Sequence, residues 1–178
     1  PPGSTYNDEE VGLPFYQGSA DFGFRFPSIR KFCSEPNRLA EKDDVLLSVR
    51  APVGDLNRAL TQCCIGRGLA SIRSKTGLSS WIFYRCSFLK DHFDTFNSEG
   101  TVFGSVNGTD LRGIKTPVAN SEILNRFEKI VSPMDESIRV RSEEITVLSQ
   151  LRDTLLPKLI SGELRIPDAE KFLEEAGI

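Results

Sequence analysis

After residue 120 the chain carries no glycine until Gly162, and its apolar residues fall into a three-four rhythm. Positions 124, 127, 131, 134, 138, 141, 145, 148, 152, 155 and 159 read Leu, Phe, Val, Met, Ile, Arg, Ile, Leu, Arg, Leu and Leu, nine of eleven apolar. Steps of three and four keep a stripe on one side of a helix, and over this length the stripe reads as a coiled-coil seam. The other arrangement open to such a pattern is a long helix lying on its own domain. The seam predicts Met134, Ile138, Ile145, Leu148, Leu155 and Leu159 as helix-packing residues. Arg141 and Arg152 share its phase, and each needs an acidic partner or an exit to water, because an unpaired buried charge is costly. Ser132-Pro133-Met134-Asp135 spells a helix start, with Ser as cap and Pro at the first helical position. That predicts either a short helix over 121–131 followed by a long one from 133, or one helix kinked there. Pro157 is expected to bend the last turns, and Gly162 to stop the helix.

Before residue 120 the grammar differs. Gly, Pro, Asn and Ser punctuate short apolar runs: "VLLSV" (45–49), "LASI" (69–72), "WIFY" (81–84) and "GIKTPV" (113–118). Runs of this length with β-branched or aromatic residues read as strands. Phe88, Leu89, His92, Phe93 and Phe96 are spaced for a helix over about 87–96, ended by "NSEG" at 97–100. The expected fold class is therefore α+β. An irregular, β-rich domain occupies 1–120, and a long, coiled-coil-forming helical region occupies 121–178.

Several function classes are disfavoured. No run of about 18 apolar residues could span a membrane, and no signal pattern opens the chain. Pro1 stands where an initiator methionine would, so the chain reads as a piece of something longer. Cys33, Cys63, Cys64 and Cys86 include no Cys-x-x-Cys pair, and His92 is the one histidine. That pattern argues against a metal site and for reduced, buried thiols in a cytoplasmic protein. There is no nucleophile elbow, zinc-protease motif or phosphate loop. Gly66-x-Gly68 breaks the dinucleotide pattern, with Ser71 at the third glycine. No cofactor is expected and no catalytic residue is nominated.

Net charge is −3, but residues 11–90 hold twelve Lys/Arg against six Asp/Glu, while residues 121–178 hold eight against twelve. A basic body on an acidic support is the footprint of an anion-binding protein. Three segments look like contact surfaces. In "FYQGSADFGFRF" glycines allow close approach of backbone to a ligand, and Gln17 and Ser19 offer donors and acceptors suited to base edges. In "SVRAPVGDLNRA" Arg50 follows a strand and is held by a proline turn. In "CCIGRGLASIRSK" Arg67 sits between two glycines, which leaves it free to reach phosphate or guanine. The candidate DNA-binding residues are Tyr16, Gln17, Ser19, Arg25, Arg30, Arg50, Arg58, Arg67 and Lys75. Read alone, each segment is also compatible with a turn bearing a solvated arginine. An interaction adaptor working through its coiled coil remains the alternative function, and a small-molecule enzyme using Gly66 and Gly68 for phosphate a more distant one.

"DDVLLSVRAPVGDLNRA", "IGRGLASIR" and "LRDTLLPKLISGELRI" (151–166) together resemble the specificity subunit of type I restriction–modification enzymes. "GLPFYQGSADFGFRFPS" is similar to the entry segment of that family's target recognition domain, and "DAEKFLEEAGI" to its C-terminus. The resemblance implies a non-catalytic subunit that reads one half of a split target in double-stranded DNA. It implies partners too: methyltransferase (modification) subunits that use S-adenosylmethionine, and a restriction subunit. The family's subunit has two recognition domains, held apart by two antiparallel helices. This chain has one of each, so it corresponds to a C-terminal half or to a half-sized subunit that pairs with its own copy. A helix over 133–161 would be a rod of about 43 Å, comparable to the roughly 34–36 Å between half-sites.

Overall fold

The computed structural model describes residues 1–98, 104–175 and 177. Two sheets form the body. One has five strands in the order β1-β3-β2-β7-β4: β1 (Tyr6–Asn7), β2 (Leu13–Tyr16), β3 (Lys31–Cys33), β4 (Leu39–Ala40) and β7 (Cys63–Ile65). The other has three in the order β6-β5-β8: β5 (Val45–Ser48), β6 (Leu56–Arg58) and β8 (Leu69–Ile72). All pairings are antiparallel except β2 with β7, where Phe15 faces Cys64 and Tyr16 faces Ile65. The helices are α1 (Ser79–Phe88), α2 (Lys90–Ser98), α3 (Gly108–Gly113), α4 (Ser121–Ser161) and α5 (Ile166–Glu175). The architecture is thus a mixed β-sheet body and a long helix. By contacts the chain divides into two compact units, Pro1–Asp135 and Glu136–Ile178.

The runs "VLLSV" and "LASI" form β5 and β8 as expected. Every side chain of β5 is buried, so this continuous apolar run is the centre of the core. The run 81–84 is not a strand but part of α1. Four apolar residues in a row do not distinguish a strand from a buried helical turn. Here Phe83 and Cys86, three apart, are buried against Val45 of β5. Residues 113–118 form no strand either: α3 ends at Gly113, and 114–120 lack regular structure. The expected helix over 87–96 is two helices meeting at Leu89, with Phe93 buried and Phe88 exposed. Its stop at 97–100 falls partly outside the described residues. Phe93 also explains a glycine. Gly54 has φ +98°, and a Cβ there would lie 2.6 Å from the Cβ of Phe93, so strain and lack of space both require glycine.

The expected break at Ser132-Pro133 is absent, and α4 runs unbroken through Pro133 and Pro157. An interior proline removes one helical hydrogen bond and crowds the preceding turn. Contacts on both sides of Pro133 offset this. On one side, Glu128 accepts hydrogen bonds from the backbone N–H groups of Ser80 (3.0 Å) and Trp81 (2.9 Å). Leu78, at the N-cap of α1, offers no side-chain cap, so a carboxylate from another helix satisfies those N–H groups and opposes the helix dipole. On the other side, the carboxylate of Asp135 accepts from Arg58 Nη1 (2.9 Å), Arg25 Nη1 (3.3 Å) and Tyr84 Oη (3.0 Å). The Arg25 guanidinium also lies over the Phe83 ring, 4.4 Å from its centroid. Arg58 Nη2 reaches Asp43 Oδ1 (3.1 Å) and Ser79 Oγ (3.2 Å). The Asp135 and Arg58 side chains are each only 5% exposed.

All four cysteines are free and buried. Burial pushes the Cys63 thiol up to about 12 and the Cys86 thiol up to about 11. Among the described residues no helix is long and apolar enough to cross a membrane. No group of three or more His, Cys, Asp or Glu among them could hold a metal ion.

Asp135→Ala leaves Arg58 buried without its principal counter-charge. It should lower unfolding free energy by about 3–5 kcal/mol, measured by urea denaturation. Glu122→Ala, on an exposed pair of the same helix, should stay within about 0.5 kcal/mol of wild type. Equal effects from the two would contradict this account of the network.

Candidate nucleic-acid interface

Parallel pairing of β2 with β7 brings the ends of two strands that are distant in sequence to one edge. The residue after β2 is Gln17, and the residues after β7 are Gly66, Arg67 and Gly68. The N–H of Gly66 donates to Tyr16 O (2.8 Å), which continues the ladder one step past the strands. β5 ends at the same edge, because Ser48 faces Leu69 and the N–H of Val49 donates to Gly68 O (2.9 Å). That sets Arg50 beside the 66–68 loop. A fourth segment is held by the bridge between Arg50 and Ser105 and by the N–H of Val106 donating to Val49 O. At its end, Asn107 Oδ1 accepts from Thr109 N and Asp110 N to cap α3.

These segments surround an open cleft of about 740 Å³. Its floor is apolar, with Val49, Leu69, Val106 and Leu111, and its rim carries Arg38, Arg50 and Arg67. No Asp or Glu among the described residues lines it. Arg38 is internally engaged. Its guanidinium donates to Gly66 O (2.7 Å) and Leu69 O (3.1 Å), pinning the loop that carries Arg67. Arg50 and Arg67 are exposed and have no ion-pair partner among the described residues. Unpaired guanidiniums over an acid-free cleft make a local positive potential suited to phosphate or a guanine edge.

The glycines around Arg67 serve a different purpose from the one their spacing suggested. Neither Gly66 nor Gly68 has a positive φ. A Cβ on Gly68 would lie 2.6 Å from Gln17 O, and one on Gly66 would lie 3.1 Å from Gln17 Cα. They are small because the Gln17 loop packs directly on them, not because Arg67 needs backbone freedom. The Gln17 loop is itself tied down, since the N–H of Gln17 donates to Asp21 Oδ2 (2.7 Å).

The nominated residues separate into two groups. Gln17, Arg50 and Arg67 share the edge. Arg30 flanks it: it precedes β3, whose Lys31 faces Phe15, and its exposed Nε lies 3.9 Å from Asp21 Oδ1. Ser19 is half-buried in the turn Ser19–Asp21. Tyr16 belongs to the core, where burial, Cys63 and Asp21 all push its phenol up. Arg25 and Arg58 were expected at the DNA face, but their guanidiniums are held by Asp135. Lys75 is exposed in the turn beyond the far end of β8. Nearby, burial favours protonation of Asp44, yet its bonds from Arg73, Ser71 and the Glu41 N–H hold its carboxyl below the usual range. Arg38 was not nominated, because its role depends on loop carbonyls 28 and 31 residues away in the chain. Of the seam residues, Ile145 and Leu148 are exposed in the single chain at 64% and 57%, as is Met134. Ile138, Leu155 and Leu159 are half-buried. Arg141 is exposed to water, and Arg152 pairs with Asp153.

No protein-family model matches the chain. The chain is 34% identical over 168 residues to a putative type I restriction enzyme MjaX specificity subunit of Methanocaldococcus jannaschii, covering 93% of this chain and 39% of that protein. The solved HsdS subunit from Thermoanaerobacter tengcongensis is similar at 36% identity with a TM-score of 0.64, over 92% of this chain and 41% of the other. The type I restriction–modification S subunit from M. genitalium shares the fold at 17% identity, with a TM-score of 0.67 over 98% of this chain and 43% of the other. The chain spans about two fifths of the length of the relatives it matches.

Arg38→Ala removes two guanidinium hydrogen bonds to loop carbonyls, leaving Gly66 O only its longer bond from the Leu69 N–H, and should cost about 1–3 kcal/mol in unfolding free energy. Arg67→Ala should cost no more than about 0.5 kcal/mol. Denaturant titration of both variants checks this, and the reverse order would overturn the distinction between an arginine that pins the loop and one that is free at the surface.

Proposed function

Because the chain is related to the specificity subunits of type I restriction enzymes over about two fifths of their length, we propose that it reads one half of a bipartite DNA target. It does so as a non-catalytic part of such a subunit. The carrying observation is that Gln17, Arg50 and Arg67 share one edge, flanked by Arg30, and that Arg50 and Arg67 line a cleft with no acidic side chain among the described residues. Arginines in such a setting grip phosphate or read guanine, and glutamine reads adenine. In this reading residues 1–120 are the target recognition domain and 121–178 the spacer. DNA-modifying subunits bind alongside and supply the methyl-transfer chemistry, a restriction subunit supplies cleavage, and the assembly works in the cytoplasm. Met134, Ile138, Ile145, Leu148, Leu155 and Leu159 pack against a second helix running antiparallel, in a second half-subunit or a second copy. The exposure of Ile145 and Leu148 supports this reading, because apolar residues aligned along a helix favour burial against another.

Duplex binding by the chain, in complex with modification subunits, should fall steeply between about 50 and 200 mM salt. Loss of a phosphate contact at Arg50 should reduce the slope of log affinity against log salt by about one. A flat salt response in the wild type would contradict a DNA-reading role. Ile145→Asp and Leu148→Asp should abolish helix pairing, since each would bury a charge in the seam. Sedimentation velocity checks this, and identical assembly of wild type and variants would contradict the seam.

A further inference from the structure

Helix α3 closes one side of the cleft, where Gly108 and Leu111 line it. The segment leading into the helix is tied to the end of β5, because the N–H of Val106 donates to Val49 O (3.0 Å). Leu111 packs on the core cluster of Leu47, Val53, Phe93 and Val106. α3 is thus fixed to the body at the cleft wall, and the residue that follows Leu111 is an exposed arginine, Arg112.

A cation in the last turn of a helix ordinarily complements the unpaired carbonyls at the C-terminus. Arg112 is turned the other way. Helical side chains lean toward the N-terminus, and its guanidinium folds back one turn onto Gly108. A Cβ on Gly108 would lie 3.7 Å from each Nη atom of Arg112 and 3.8 Å from its Cζ. Three nearly equal distances set the flat face of the guanidinium, rather than its N–H edge, against the Gly108 backbone. The edge is left open. Arg112 has no hydrogen-bond or ion-pair partner among the described residues. Asp110, two residues earlier, is engaged at the start of the helix, where its carboxylate accepts from Asn107 Nδ2 (2.7 Å).

We propose that Arg112 is a further DNA-contacting residue, which grips a backbone phosphate of the duplex on the α3 side of the cleft. Stacking on Gly108 sets the plane of the guanidinium, but no hydrogen bond fixes its register. That suits a phosphate, which positions the protein without carrying sequence information, better than a base edge. Unpaired cations then reach the cleft from three separate segments: Arg50 after β5, Arg67 after β7 and Arg112 on α3. The proposal rests on the DNA-reading role and deepens it.

Salt titration of duplex binding tests this, with the full chain assembled with its modification subunits and a random-sequence duplex as probe. Arg112→Ala should reduce the slope of log affinity against log salt by about one. The loss of affinity between about 50 and 200 mM salt then becomes about fourfold smaller. The motif selected from a random duplex pool should stay that of the wild type. Arg112→Lys keeps the charge and should keep the slope. Arg126→Ala removes the same charge from an exposed pair on α4 and should leave the slope unchanged. A wild-type slope in Arg112→Ala would overturn the proposal. So would an equal drop in Arg126→Ala, which would trace the effect to net charge. A motif relaxed at one base pair with the slope unchanged would overturn it too, since Arg112 would then read a base. Each of these results leaves the DNA-reading role standing. A flat salt response in the wild type would overturn that role and the proposal with it.

Discussion

One carboxylate holds the first half of the long helix to the β-rich body. Asp135 accepts from Arg25, Arg58 and Tyr84, whose sequence separations from it are 110, 77 and 51 residues. A buried acid–base cluster is not in itself a large source of stability, because removing charges from water offsets much of their attraction. Its value is directional. Two guanidiniums and a phenol can all reach one carboxylate in few arrangements, so the cluster selects one register of α4 on α1 and the sheets. Glu128 adds a second fixed point one side of Pro133, and helix geometry carries the chain through the proline between them.

The cluster also explains how the arginines are divided. A basic body attracts nucleic acid only with the charges it does not neutralise internally. Arg25, Arg58 and Arg73 pair with Asp135, Asp43 and Asp44. Arg50 and Arg67 are left without acid partners among the described residues, at the edge where β2, β5 and β7 end. Crevices at the carboxyl ends of neighbouring parallel strands are recurrent binding places, because the loops that follow converge there. Here the parallel pairing of β2 with β7, the one such pair among the described residues, brings those loops together.

Much of this was legible in the sequence. The strand runs at 45–49 and 69–72 were bounded by turn residues, and the three-four rhythm marked α4 without ambiguity of type. The positive segment and the loops around Gln17, Arg50 and Arg67 were visible as charge and glycine spacing. What could not be read depended on long-range partners. The helical state of 81–84 follows from Glu128 capping α1 and from the packing of Phe83 on β5, neither visible within a short window. Arg58 looked like Arg50, since both lie in "SVRAPVGDLNRA", and only the ion pairs of Arg58 with Asp135 and Asp43 separate them. Continuity through Pro133 likewise reflects contacts that override a local start signal. The glycines flanking Arg67 were visible but their purpose was not: their smallness accommodates the Gln17 loop.

In the proposed role DNA lies against the edge bearing Gln17, Arg50 and Arg67, and not against the opposite end of the sheets. Photo-cross-linking of the assembled complex to duplex DNA, with attachment sites mapped by mass spectrometry, tests it most directly. The account predicts cross-links in peptides spanning residues 17–19, 50–52 and 66–68, absent when excess unlabelled target duplex competes. Cross-links concentrated around Arg25, Arg58 and Lys75, with none in those three loops, would contradict it.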